Sequence, residues 1–124
     1  MDRLEQRISD AELEVMQVLW DAEDALPVTT IRRALKERKG WEATTVKTLI
    51  RRLLGKGAIR QEKRHVYHYS PCISREDYNA WAAGALVDKL FKGSARNLVA
   101  ALVRSDGLSR EDIEELRALF RMED

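Results

Sequence analysis

The chain has 124 residues, 44% of them hydrophobic, which suits one ordinary domain or a small domain carrying a helical appendage. No run approaches the ~18 apolar residues of a membrane span, and the charged opening Met1-Asp2-Arg3-Leu4-Glu5-Gln6-Arg7 leads to no expectation of a signal peptide. The net charge is +1, and the single cysteine, Cys72, allows no intrachain disulfide, so a reducing, cytoplasmic setting is expected.

Ser9-Asp10-Ala11-Glu12 has the spacing of a capping box, with a hydroxyl at the N-cap and a carboxylate three residues on. Behind it Leu13, Met16, Leu19 and Trp20 recur at helical spacing, which predicts a first helix over about 9–21. Pro27 interrupts. A second helix begins at Val28 or Thr29, buries Val28, Ile31 and Leu35, and closes at Gly40. Trp41 leads into a third helix over about 43–56, whose inward face is Val46, Leu49, Ile50 and Leu53 at i, i+3, i+4 and i+7.

Past Gly57 the period changes to alternation. Residues 58–62 and 66–70 read as two short strands around the turn Lys63-Arg64-His65, and Pro71 is expected to stop the second. The remainder is helical. Ser74 with Asp77 starts a helix of about 75–91, a short segment follows Ser94 until Gly107, and Ser109 with Asp112 starts the last helix, about 110–121.

The fold class is therefore mostly α with a small β-hairpin: a winged helix-turn-helix domain over 1–72, followed by a C-terminal three-helix arm over 73–124. The arm's helices are too short to close around a core of their own. Pairing with a second copy would bury their apolar residues Tyr78, Trp81, Ala85, Leu86, Leu98, Leu102, Ile113, Leu116 and Phe120, so a homodimer is expected.

The near-neutral total conceals a basic middle third. Residues 1–25 carry two basic and eight acidic side chains, whereas residues 26–70 carry twelve Lys or Arg against Glu37, Glu42 and Glu62. One positive surface facing a polyanion is the natural use of such a distribution; the plain alternative is a set of solvated helix faces. Position favours the first. Opposite the apolar stripe of the third helix stand Thr44, Lys47, Thr48 and Arg51, flanked by Thr45, Arg52 and Lys56. Such a face suits the major groove, where Arg and Lys reach guanine edges and Thr meets base edges, phosphates or thymine methyls. Thr44, Lys47, Thr48 and Arg51 are accordingly expected on bases, Arg52 and Lys56 on phosphate. Lys63, Arg64 and His65 at the hairpin tip form a wing that adds affinity more than sequence choice. A winged-helix adaptor, using this face to bind an acidic protein, is the alternative from another class.

His65, His68 and Cys72 form an H-x2-H-x3-C spacing whose donors suit zinc or copper. However, His65 lies in the turn, and His68 and Cys72 straddle Pro71, so no metal or other cofactor is expected. Nor does the chain carry a Gly-rich phosphate loop, a nucleophile elbow or a paired-histidine motif, and no enzyme is expected.

Several segments together resemble the penicillinase-repressor family of winged-helix transcriptional repressors. They are Ile8-Ser9-Asp10-Ala11-Glu12-Leu13-Glu14-Val15-Met16 with Leu19-Trp20, Trp41 with Thr45-Val46-Lys47-Thr48-Leu49-Ile50-Arg51-Arg52-Leu53 and Lys56-Gly57, and Val66-Tyr67-His68-Tyr69-Ser70-Pro71. The tail continues the likeness through Phe91-Lys92-Gly93-Ser94, Leu98-Val99 and Leu108-Ser109 to Ile113-Glu114-Glu115-Leu116. The resemblance implies a dimer on a dyad-symmetric double-stranded DNA operator, relieved when a regulatory protease cuts the dimerisation region. The bond would be Ala101–Leu102, where well-known members have Asn-Phe. Glu42-Ala43 likewise stands where they have a Ser-Pro pair.

Overall fold

The structure, a computed structural model, describes residues 3–123 and divides into two compact units, Met1–Trp81 and Ala82–Asp124. In chain order the elements are a short 3-10 turn at Glu5–Arg7, α1 (Asp10–Asp21), β1 (Leu26–Pro27), α2 (Val28–Lys39), α3 (Ala43–Lys56), β2 (Ile59–Lys63), β3 (Tyr67–Pro71), α4 (Arg75–Phe91), α5 (Ala95–Arg104) and α6 (Arg110–Glu123).

The first unit begins with the expected capping box. The Glu12 backbone N–H donates to Ser9 Oγ at 3.1 Å, and the Ser9 N–H donates to Glu12 Oε1 at 2.9 Å. Behind it α1 buries Val15, Met16, Val18 and Leu19 against Ile31 and Leu35 of α2 and Val46, Leu49, Ile50 and Leu53 of α3. Each such side chain, fully removed from water, stabilises the fold by roughly 1.5–3 kcal/mol. Gly40 and Gly57 close α2 and α3 in the left-handed region, at φ 70° and 77°, where a Cβ is strained.

The sheet departs from the expected hairpin in two respects. It has three antiparallel strands in the order β1-β3-β2, with Leu26 opposite Tyr69 and Pro27 opposite His68. The residue before a proline is pushed into extended backbone, so Leu26 pairs where the sequence shows only an interruption. The hairpin also sits one residue later than expected, with Ile59 opposite Pro71 and Lys63 opposite Tyr67. Ala58 is shared between two elements: its N–H closes α3 on the Leu53 carbonyl at 3.0 Å, and its carbonyl accepts from the Cys72 N–H at 2.8 Å just beyond the last paired residues. Pro71 ends the second strand from within it, where its missing N–H breaks no further rung.

The start of α4 belongs to this unit. Ile73 is buried, the Trp20 indole N–H donates to its carbonyl at 2.8 Å, and Tyr78 lies with its ring centroid 5.6 Å from Trp20 and 5.8 Å from Trp81. Arg75 stacks over Trp20 at 5.7 Å and donates to Asp21 Oδ1 at 2.6 Å and to Gln17 Oε1 at 3.2 Å.

The second unit is helical and well capped, yet none of its described residues is buried. Ser94 caps α5 by accepting from the Asn97 N–H. Ser109 and Asp112 exchange reciprocal bonds of 3.0 Å at the start of α6. Among the described residues, no helix is long and apolar enough to cross a membrane.

Candidate nucleic-acid interface

The sequence of α3 separates its two faces cleanly. With Val46, Leu49, Ile50 and Leu53 buried, Thr44, Thr45, Lys47, Arg51 and Arg52 are left exposed on the other side. Thr48 is half-buried, and its hydroxyl donates back to the Thr44 carbonyl at 2.9 Å, which leaves its lone pairs as acceptors. Ala11 of α1 joins Thr44, Thr45, Thr48 and Arg52 along a shallow groove beside this face.

Ion pairing sorts the basic third into two populations. Lys56 stands apart in its contacts. Its ammonium donates to Glu12 Oε1 at 2.5 Å and to the Arg7 carbonyl at 2.6 Å, tying the end of α3 to the start of α1. Glu12 is 1% exposed. Burial alone would raise its carboxyl, but the Lys56 hydrogen bond, the Ser9 backbone bond and the Lys56 charge together hold it below the ordinary carboxylate value. Arg38 pairs with Asp21 at 3.0 Å, and Arg64 spans Asp24 (3.3 Å) and Glu62 (2.9 Å). By contrast Arg32, Arg33, Lys47, Arg51, Arg52 and Lys63 make no ion pair among the described residues. The acidic opening of the chain thus engages particular cations and leaves the α3 face positive.

The wing carries Lys63 at the end of β2, then Arg64, His65 and Val66 in the turn. Lys63 and His65 are exposed, and Arg64 is held by its acids as a brace between the tip and the loop after α1. Val66 and Tyr67 are 52% and 46% exposed, so the tip also presents apolar surface. Tyr69 packs against the core. His68 Nδ1 lies 2.9 Å from the Val66 carbonyl, and Cys72 is exposed.

One part of the surface escaped sequence reasoning. Thr29, Arg32, Arg33, Lys36 and Trp41 line a concavity that ends at Glu42 and Ala43, the first residues of α3. The three cations were visible in the charge count. What was not visible is that one turn of α2 would bring them beside the start of α3. Lys39 lies 6.0 Å over the Trp41 ring and holds this corner.

The expected pairing residues fall in different places. Tyr78 and Trp81 pack within the first unit, as described above. In the second unit Ala85, Leu86, Leu102 and Phe120 are exposed, while Leu98, Ile113 and Leu116 are half-buried. Ala101 and Leu102 lie inside α5.

Three helices, an antiparallel hairpin and an exposed, cationic third helix define a winged-helix DNA-binding protein. The chain belongs to the penicillinase repressor family, whose model matches residues 8–122; this is a family of transcriptional repressors and not of enzymes. It is 32% identical to the penicillinase repressor of Bacillus licheniformis over 111 residues, covering 89% of this chain and 86% of the relative. It is 33% identical to the methicillin resistance regulatory protein MecI of Staphylococcus aureus (strain N315) over 121 residues, 97% of this chain and 98% of the relative. Among solved structures it is similar to the DNA-binding domain of the repressor BlaI, with a TM-score of 0.54, 35% identity, and 63% of this chain and 94% of that chain covered. A second similar structure is the Bacillus licheniformis BlaI monomeric form in complex with the blaP half-operator. There the TM-score is 0.52 and the identity 37%, with 58% of this chain and 88% of that chain covered.

Proposed function

We propose that this chain represses transcription as a homodimer on an inverted-repeat operator in double-stranded DNA, each copy laying α3 in a major groove. The observation that carries the reading is the exposed Thr44–Arg52 face of α3, whose cations are free of the ion pairs that engage Lys56, Arg38 and Arg64. Thr44, Thr45, Lys47, Thr48 and Arg51 then face bases, while Arg52, Lys63 and His65 meet phosphate, with Arg64 as the brace of the wing. The half-operator complex of the similar BlaI structure supports this use of the fold. Pairing is supported by the exposed apolar side chains Leu86, Leu90, Leu102 and Phe120 among the described residues of the second unit. Domain limits of 1–72 and 73–124 belong to the same proposal.

Relief of repression by proteolysis is part of the same proposal. A cut at Ala101–Leu102, made by a regulatory protease, would sever α5 and separate the paired arms. A helix with no buried residue opens locally at little cost, which is what a protease needs. If intact protein persists unchanged in β-lactam-treated cells while the target genes are expressed, cleavage is not the switch.

The test is selection from random duplexes at about 150 mM salt, where non-specific contacts are weakened. An enriched inverted repeat with half-sites about one helical turn, ~10 bp, apart is the expected result. No enrichment would reassign the basic face to an acidic protein partner.

A further inference from the structure

Helix α3 begins on a residue that does not cap it. The N-cap position favours Ser, Thr, Asp or Asn, whose short side chains reach the free N–H groups of the first turn. Glu42 occupies it in extended backbone, φ −79° and ψ 162°, and makes no side-chain capping bond. Its carboxylate turns outward instead. Lys36 Nζ donates to Oε1 at 2.6 Å, the Glu42 side chain is 75% exposed, and Oε2 has no hydrogen-bond partner among the described residues.

Two opposing effects act on a carboxylate at this place. It stands at the start of the helix proposed to read bases, and the first residues of such a helix are those that reach base edges. The phosphates repel it, and repulsion alone would make it a burden on a surface otherwise built from cations. Against this, a carboxylate is the side chain that accepts from the exocyclic amine of cytosine in the major groove. Lys36 shifts the balance toward the second effect. It offsets the negative charge, and by engaging Oε1 it leaves Oε2 as the free acceptor. Arg32 and Arg33, in the same concavity, add positive potential around the pair.

We propose that Glu42 is a specificity-determining residue of the recognition helix, its free carboxylate oxygen accepting a hydrogen bond from the N4 amine of a cytosine in each half-site. Lys36 is the positioning residue that holds the carboxylate for this contact. The inference rests on the reading of α3 as the base-reading helix.

The experiment measures affinities of the full chain, Glu42→Gln and Lys36→Met on a panel of selected operators in which each base pair of the half-site is changed singly. It is run at two salt concentrations. The unaltered protein is expected to prefer cytosine at one position by about tenfold, the size of a single base contact. Glu42→Gln should lose that preference or move it to adenine, which Gln reads, and leave every other position unchanged. Lys36→Met should weaken the same preference. Unchanged melting of both variants would show that the exposed substitutions leave the fold intact. If Glu42→Gln instead tightens all operators alike and steepens the salt dependence, the carboxylate acts only as charge and the inference falls. If the unaltered protein discriminates at no position, the DNA reading itself falls and this inference with it.

Discussion

The two units treat their apolar residues in opposite ways. In the first, Met16, Ile31, Leu35 and Leu53 are each 0% exposed, whereas in the second Leu90 and Phe120 stand at 60% and 67%. Local helix chemistry does not account for the difference, because α6 carries the same reciprocal cap as α1 and α5 a serine cap. A cap fixes where a helix begins and contributes about 1 kcal/mol. Burial of a large apolar side chain contributes roughly twice that, and repeats along the helix. The first unit is therefore finished by its own residues. On the proposed homodimer the second is one half of a core, and its stability should rise with protein concentration.

The strongest challenge to that contrast is the pair Leu90→Glu and Phe120→Glu in one variant. Sedimentation should show a monomer, and affinity for a full inverted repeat should fall about 100-fold as the second binding event ceases to be intramolecular. Half-site affinity should be unchanged. A variant that remains dimeric would show that these side chains are not the interface.

A second test asks whether the first unit is as complete as its packing implies. Glu12 is its one buried charge among the described residues, matched by Lys56. Glu12→Gln keeps the capping geometry, since Gln serves a capping box as Glu does, and removes only the charge. Leaving a half-buried ammonium without its counter-ion should cost about 2 kcal/mol, read as a lowered urea midpoint at pH 7. Because the folded Glu12 value is depressed, its contribution is complete above the ordinary carboxylate value, about 4.3. It is lost as the pH falls through the lower folded value. The variant should therefore lose less stability than the parent between pH 5 and pH 3. Equal acid sensitivity would show that the pair does not hold α3 against α1.

How much of this could be read from the chain follows from the range of each interaction. The stripe of Val46, Leu49, Ile50 and Leu53 and the Ser9–Glu12 box act within one or two helical turns, so spacing reveals them. The ion pairs that decide which cations are free join residues 44, 40 and 54 positions apart, as in Lys56–Glu12, Arg64–Asp24 and Arg75–Asp21. No local pattern announces such contacts. For that reason Lys56 reads as a phosphate ligand in the sequence, although its ammonium is held by Glu12 and the Arg7 carbonyl. Likewise β1 is two residues long, too short for an alternation to show. The apolar stripes of the arm were legible, but which of them pack at home was not. Tyr78 finds Trp20 only because α4 starts on the first unit.

The division of labour within the first unit, between α3 and the wing, is sharpened by Arg51→Ala and Lys63→Ala. Arg51→Ala should cost about 1.5 kcal/mol per half-site and relax one base position, whereas Lys63→Ala should weaken all sequences alike and reduce the salt slope by about one. Neither should alter self-association, since both residues lie in the first unit. Competition binding on operator variants, with sedimentation of the same samples, separates these outcomes. Indistinguishable profiles would remove the distinction between base-reading helix and wing.

The smallest effect is expected at Asp21, where the first unit receives the start of α4. A carboxylate at the C-terminus of a helix opposes the helix dipole, so Asp21 would be unfavourable if left alone. It is not alone. The Arg75 hydrogen bond, followed by that from Arg38, lowers its pKa below the ordinary value, and the two guanidiniums link α1 to both α4 and α2. All three side chains are 41–47% exposed, so solvent screens the attraction, and the pairs together should contribute less than about 1 kcal/mol. Asp21→Asn removes both the ion pairs and the helix-end repulsion, and the two terms partly cancel. The expected result is a fall in melting temperature of a few degrees at most, smaller still in high salt. A large, salt-insensitive loss would mean that the Trp20–Tyr78 packing depends on this carboxylate, and that the first unit is less self-sufficient than its core implies.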